Sequence, residues 1–153
     1  MDMTFTEAPL SSGIAAEGNA QVMSRRRHRE FLAACRRVVD ARPKGAAPLK
    51  VSEVAGLAAE SPAPRYYVSF DYALRMYNRI RREGSAGVAG PMGRCWQEIA
   101  DKVTAMVEQS GGKLSVKHAL ARVLAGEGAS SFFMTQATAR RLYHHALRQR
   151  RRK

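Results

Sequence analysis

Cysteine, aromatic residues and long apolar runs are all scarce in this 153-residue chain. Cys35 and Cys95 stand apart, and neither has a Cys-x-x-Cys partner. We therefore predict buried thiols in a reducing compartment and no disulfide. No run of roughly 18 apolar residues is present, and the amino terminus lacks the charged-then-apolar pattern of a signal peptide. These absences predict a cytoplasmic protein without a membrane partner.

Acidic residues are also few. The chain has 13 Asp and Glu against 26 Lys and Arg, for a net charge of +13. Such a charge favours polyanionic partners, either nucleic acid or an acidic membrane surface. The charge is concentrated in 24–50 and 115–153, whereas 84–114 is neutral. Because the apolar helix faces are small and rich in alanine, we rank a membrane surface last. A basic but otherwise ordinary soluble surface is the plain alternative.

Patterns typical of catalysis are missing as well. The four histidines are His28, His118, His144 and His145, and no two of them are spaced i, i+4 on one helix. No glycine-rich loop precedes a Lys-Ser or Lys-Thr pair. A zinc site and a nucleotide cradle are therefore not expected. We predict no enzyme activity, no catalytic residues, no metal and no cofactor.

The most informative stretch that is present covers 61–69 and reads Ser-Pro-Ala-Pro-Arg-Tyr-Tyr-Val-Ser. Its two prolines prevent a continuous helix, because proline lacks an N–H and disfavours the helical conformation of the preceding residue. Ser69 is placed to cap the next helix, with Asp71 in its first turn. The stretch therefore predicts a break between two helices.

Apolar periodicity predicts helices throughout and no strand. The predicted helices are 24–41, 51–60 with Ser52 as a cap, 70–82, a fourth through Trp96 and Val107, a fifth capped by Ser115 and ending at Ala125, and a sixth capped by Thr135 and ending near Arg150. Residues 1–23 show no period and predict a flexible amino-terminal arm. Residues 84–93 hold four glycines and a proline and predict a linker.

Features of the first half recur about 66 residues later. The matching features are the aromatic pairs Tyr66-Tyr67 and Phe132-Phe133, the hydroxyl caps Ser69 and Thr135, and the Arg-x-Tyr motifs at Arg75 and Arg141. The sequence predicts an all-α fold of two tandem three-helix units, 24–83 and 94–153, related by an internal repeat. Phe replaces Tyr in the second aromatic pair, so we interpret the pairs as packing residues, with base stacking as the alternative.

A long helix, a short helix, a turn and a third helix together resemble helix-turn-helix DNA-binding domains. That resemblance implies that the third helix enters the major groove. It departs from the standard pattern because the link before the third helix has about nine residues instead of three or four. Either the link contains a helical turn over 62–67, or the units are helical hairpins of another kind. The motif over 62–69 also resembles one found in small bacterial proteins, which implies no function.

The exposed faces of the two third helices carry the candidate binding residues. Arg and Asn recognise guanine and adenine edges, while Arg and His also bind phosphates. The predicted nucleic-acid-binding residues are Arg65, Arg75, Asn78, Arg79, Arg82, Arg141, His144, His145, Arg148, Arg150, Arg151 and Arg152. We predict a nucleic-acid-binding protein, with DNA favoured over RNA, that acts in transcription regulation or belongs to a mobile element. The alternatives are an RNA- or ribosome-associated protein and a protein-interaction module, and a homo-oligomer is left open.

Overall fold

A computed structural model describes residues 8–126 and 128–152, with side chains from Ala20 onward. Its helices are α1 (Ala8–Asp40), α2 (Val51–Glu60), α3 (Phe70–Glu83), α4 (Gly90–Gln109), α5 (Val116–Ala125) and α6 (Gln136–Arg151). Over these two described ranges no strand forms, and the one extended pairing is an isolated antiparallel bridge between Ala63 and Ala129. The predicted all-α class is confirmed.

Hydroxyl side chains cap three helices as the sequence predicts. Ser69 Oγ accepts a hydrogen bond from the Tyr72 N–H at 3.2 Å. Thr135 Oγ1 accepts one from the Thr138 N–H at 3.1 Å, and Ser115 caps α5 in the same way. Each cap satisfies one backbone donor that the first turn of a helix leaves unpaired. These caps fix where α3, α5 and α6 begin.

The starts of α1 and α4 and the cap of α2 differ from the predictions, although α2 itself spans the predicted 51–60. Helix α1 begins at Ala8, not near Ser24, because alanine-rich sequence favours helix even without an apolar period. Residues 1–7 of the predicted arm lie outside the described residues. The predicted cap Ser52 lies inside α2, where Glu53 instead accepts a hydrogen bond from the Lys50 N–H at 2.8 Å. Helix α4 begins at Gly90, inside the predicted linker, because Pro91 suits a first turn.

The helices pack in two groups of three, and the third helix of each half of the sequence packs with the first two helices of the other half. Helix α6 packs on α1 and α2, whereas α3 packs on α4 and α5. In the described part of the chain, α3 makes no helix contact with α1 or α2. The predicted tandem units 24–83 and 94–153 therefore need a correction, because each third helix packs against the other half. The physical reason is the extended link at 61–69, which carries the chain across the molecule instead of turning it back.

The two links cross where residues 63 and 129 meet. Ala63 N–H donates to Ala129 O at 3.0 Å, and Ala129 N–H donates to Ala63 O at 2.9 Å. Beside this bridge, the Phe132 ring stacks on the Tyr67 ring with centroids 6.1 Å apart. The alternative of a helical turn over 62–67 is wrong, because these residues form no helical turn and Ala63 pairs with Ala129 instead. The crossing joins the two helix groups through one core that contains Phe31 and Ile99.

Candidate nucleic-acid interface

Helix α3 is oriented by its apolar stripe. Ala73, Met76, Tyr77 and Ile80 are buried, and their spacing of three or four residues places them on one face. The Tyr77 hydroxyl also lies 3.3 Å from Thr104 Oγ1 on α4. The opposite face is thereby fixed toward solvent.

That opposite face forms a shallow concave surface of about 500 Å³, which we call the α3 surface. Its polar and aromatic lining consists of Tyr72, Arg75, Asn78, Arg79, Arg82 and Glu83. The four predicted binding residues of α3 therefore lie together and are exposed: Arg75, Asn78, Arg79 and Arg82. Their three- and four-residue spacing explains this, because such positions share one face of a helix.

The α3 surface stays cationic although it contains one carboxylate. Glu83 accepts from Arg79 Nε at 3.4 Å and from an Arg82 guanidinium nitrogen at 3.1 Å. Hydrogen bonds from the two arginines hold the pKa of Glu83 below its usual range. Exposed pairs of this kind are weak and are easily exchanged for other anions. The Arg75 guanidinium lies over the Tyr72 ring, 5.6 Å from its centroid.

A second basic surface lies between α6 and the start of α2, and we call it the α6 surface. It surrounds a depression of about 610 Å³, lined by Lys50, Val51, Ser52, Ala137, Arg140, Arg141 and His144. Arg141 and His144 are predicted binding residues, and the structure brings them together. The first turn of α2 adds the positive end of a helix dipole. The arrangement suits phosphate oxygens, because every ionisable side chain in the lining is a base.

The remaining predicted binding residues near the end of α6 lie on different sides of the helix. Arg148, Arg151 and Arg152 are exposed near its end, and His145 lies 3.4 Å from Gln149 through its ring nitrogen. Arg150 instead lines a groove between α1 and α6 whose apolar walls include Leu32. The structure therefore does not place Arg150 on the α6 surface. The others extend the basic character of this helix toward its carboxyl end.

Arg65 lies apart from both surfaces. Its Nε and one terminal nitrogen reach the two carboxylate oxygens of Glu30, each at 3.1 Å. A two-pronged pair of this kind has specific geometry and fixes the orientation of the guanidinium. Arg65 therefore holds the 61–69 link to α1, and we leave it out of the proposed interface.

The aromatic pair of the first link uses its hydroxyl groups. Tyr66 donates to Glu98 on α4 at 2.5 Å, and Tyr67 donates to Glu30 on α1 at 2.5 Å. Burial, followed by the hydrogen bond to each glutamate, raises the pKa of both tyrosines above the usual range. The interpretation as packing residues needs a correction, because the hydroxyls also fasten the link to two helices. The second pair, Phe132 and Phe133, is buried without this function.

Glu98 is the polar centre of the crossing. It accepts hydrogen bonds from the Tyr66 hydroxyl and from both the N–H and the hydroxyl of Ser130. Partial burial raises the pKa of Glu98, but the bonds from Ser130 and Tyr66 outweigh it and leave the pKa lower than usual. Glu30 is similar, because bonds from Tyr67 and Arg65 outweigh its desolvation. Both carboxylates are therefore held ionised by the fold, and both fasten the links to the helices.

The two thiols are poor nucleophiles. Burial raises the pKa of Cys35 and of Cys95 to about 12, so neither forms a thiolate near neutral pH. Among the described residues, no cluster of three or more His, Cys, Asp or Glu could hold a metal ion. In the same part of the chain, no helix has both the length and the apolarity that membrane crossing requires.

Four residues of the two surfaces were missed by sequence reasoning. Lys50, Ser52 and Arg140 join the α6 surface because α6 packs on α2, a contact that no local pattern reveals. Tyr72 lies in the first turn of α3 and falls outside the basic stripe that drew attention to that helix. The sequence feature that could have identified Tyr72 is an aromatic residue on the polar side of an amphipathic helix.

Comparison of the chain with protein-family models, curated proteins and solved structures found no match. Function is therefore inferred from the geometry and charge of this chain alone.

Proposed function

We propose that the protein binds nucleic acid, with duplex DNA preferred, through the α3 surface and the α6 surface. The observation that carries this proposal is the shape of the two basic faces. Each third helix buries an apolar stripe and presents cationic side chains around a concave surface. Phosphates fit such a surface, because lysine and arginine that neutralise them release condensed counterions.

The chemistry of the α3 surface supports DNA reading as well as phosphate contact. Arg75, Arg79 and Arg82 offer fork-shaped donors that match the O6 and N7 of guanine. Asn78 lies among them and offers the donor and acceptor that match adenine. The α6 surface has no amide at the corresponding place, so its main role is to contact the backbone.

The crossing of the two links supports an internal repeat. Ala63 and Ala129, the bridged residues, are themselves 66 positions apart, and an antiparallel pair of equivalent residues has a local two-fold axis. We infer two helix-turn-helix-like groups, each completed by the third helix of the other half. A two-fold protein matches the symmetry of two DNA half-sites, which recognition helices occupy from the same face of the duplex.

The direct test is a binding titration with protein freed of nucleic acid. We expect labelled duplex DNA to be bound, with log K falling linearly as log salt rises and a slope steeper than about −3. A shallow slope would mean few phosphate contacts and would contradict the two-surface interface. Titration of single-stranded RNA in parallel tests the RNA-associated alternative. Failure to bind either polymer at low salt would leave acidic proteins as the partner class.

A further inference from the structure

One aromatic ring is exposed inside the α3 surface. Tyr72 is 46% exposed, although large aromatic side chains are mostly buried in this core. Its ring meets the buried Trp96 edge-on, with centroids 5.3 Å apart and planes at 85°. Trp96 therefore holds the ring in a fixed orientation while leaving part of it open to solvent.

The surroundings of Tyr72 are those of a stacking platform. The Arg75 guanidinium lies over the ring, and Asn78 and Arg79 line the same depression. A base that takes the place of the guanidinium over the ring would lie beside donors for its edge and cations for its phosphate. Stacking on aromatic rings suits bases that are not already paired inside a duplex.

The α6 surface lacks this feature. The position that matches Tyr72 in the 66-residue register is Thr138, whose N–H bonds to the cap Thr135. The side chains that line the α6 surface include no tyrosine, phenylalanine or tryptophan, and the one aromatic ring there is the smaller imidazole of His144. The two basic surfaces therefore differ in chemistry: one offers a large ring face to a base, and the other offers mainly basic groups to phosphates.

From this difference we infer that the α3 surface binds an unpaired base by stacking it on Tyr72. The preferred ligand is then a duplex with a single-stranded extension, held by its paired part at the α6 surface and by an unpaired base at the α3 surface. This inference rests on the proposed function, because it names the form of nucleic acid that the two surfaces select.

The test uses two labelled DNA molecules of the same sequence, one fully paired and one with a 3′ single-stranded extension that contains 2-aminopurine. Stacking of 2-aminopurine on tyrosine quenches its fluorescence. We expect saturable quenching by the unmodified protein and by Tyr72→Phe, which keeps the ring. Tyr72→Leu keeps an apolar contact with Trp96 but removes the aromatic face. It should abolish the quenching and weaken binding of the extended DNA by about tenfold, within the usual range for one stacked base.

Three controls separate this inference from the proposed function. Tyr72→Leu should lose much less affinity for the fully paired DNA, which offers no unpaired base, than for the extended DNA, and thermal melting should show that the variant is folded. Leu57→Ala shortens another exposed apolar side chain, which lies on α2 and is 56% exposed. This variant should bind both DNA molecules as tightly as the unmodified protein does. Equal affinity of the unmodified protein for both DNA molecules, without quenching, would overturn the stacking role and leave duplex binding intact. Absence of binding to both would overturn the proposed function itself.

Discussion

Glu98 shows how one carboxylate can secure a chain crossing. Donors from both links meet on it, the Tyr66 hydroxyl from the first and Ser130 from the second. A partly buried acceptor with several donors is costly to replace, because each donor left unpaired keeps its desolvation penalty. The Lys102 ammonium, 3.8 Å from the Glu98 carboxylate, adds a weaker attraction. The two links therefore depend on a group whose charge responds to pH.

Glu98→Gln should lower the free energy of unfolding at pH 7 by about 1–3 kcal/mol, since the amide cannot accept from all three donors. The folded pKa of Glu98 lies below its unfolded value, so its stabilisation is complete above about pH 4.5 and is lost as pH falls through the folded pKa. Denaturant unfolding at several pH values should show that the difference in unfolding free energy between the unmodified protein and Glu98→Gln becomes smaller in acid. A gap that stays constant down to pH 3 would contradict this role.

The arginines of the α3 surface should affect binding far more than stability. Arg79→Ala removes an exposed pair with Glu83, and such pairs contribute little to stability, so the melting temperature should hardly change. DNA affinity should fall by about 1–3 kcal/mol if Arg79 contacts a base. Arg81→Ala is the matched control, because Arg81 is exposed on the same helix but does not line the α3 surface. Equal losses from both variants would mean that only overall charge matters.

At the scale of elements, local sequence signals place helix ends well where side chains cap them. Ser69 and Thr135 mark the starts of α3 and α6 because a cap is a contact within four residues. The start of α4 was missed because Gly90 and Pro91 are typical of linkers as well as of first turns. The exchange of α3 and α6 could not be predicted, because an apolar stripe does not specify which other helices it packs against.

The crossing of the links depends on a glycine. Gly128 has φ +111°, and a Cβ there would lie 2.5 Å from the Ala63 carbonyl oxygen, next to the bridge. Gly128→Ala should therefore destabilise the protein by more than the roughly 1–3 kcal/mol of backbone strain alone. Gly45→Ala is the matched control, because Gly45 has φ +89° but nothing within 4 Å of its Cβ position. Urea unfolding of both variants measures the difference, and equal losses would show that the close approach is harmless.

Across the whole molecule, positive charge is concentrated in two stretches of the sequence, 24–50 and 115–153. Residues 84–114 carry no net charge and include all of α4, whereas 115–153 carry much of the excess positive charge and include α6. Because α6 packs on α1 and α2, the basic carboxyl-terminal half is brought beside the basic sequence at 24–50. Exchange of the third helices thus concentrates positive charge that is distant along the chain, which strengthens attraction of a polyanion.

Proteolytic cleavage between α3 and α4 tests whether α3 and α6 each pack with the other half of the chain. Residues 84–89 connect these helices and are mostly exposed, so a protease should cut there preferentially among the described loops. The fragments should nevertheless stay together, because α3 of the first packs on α4 and α5 while α6 of the second packs on α1 and α2. We expect one species by size exclusion and two bands on a denaturing gel, with DNA binding retained. Separation into two folded, independent halves would contradict the exchange and restore the tandem units.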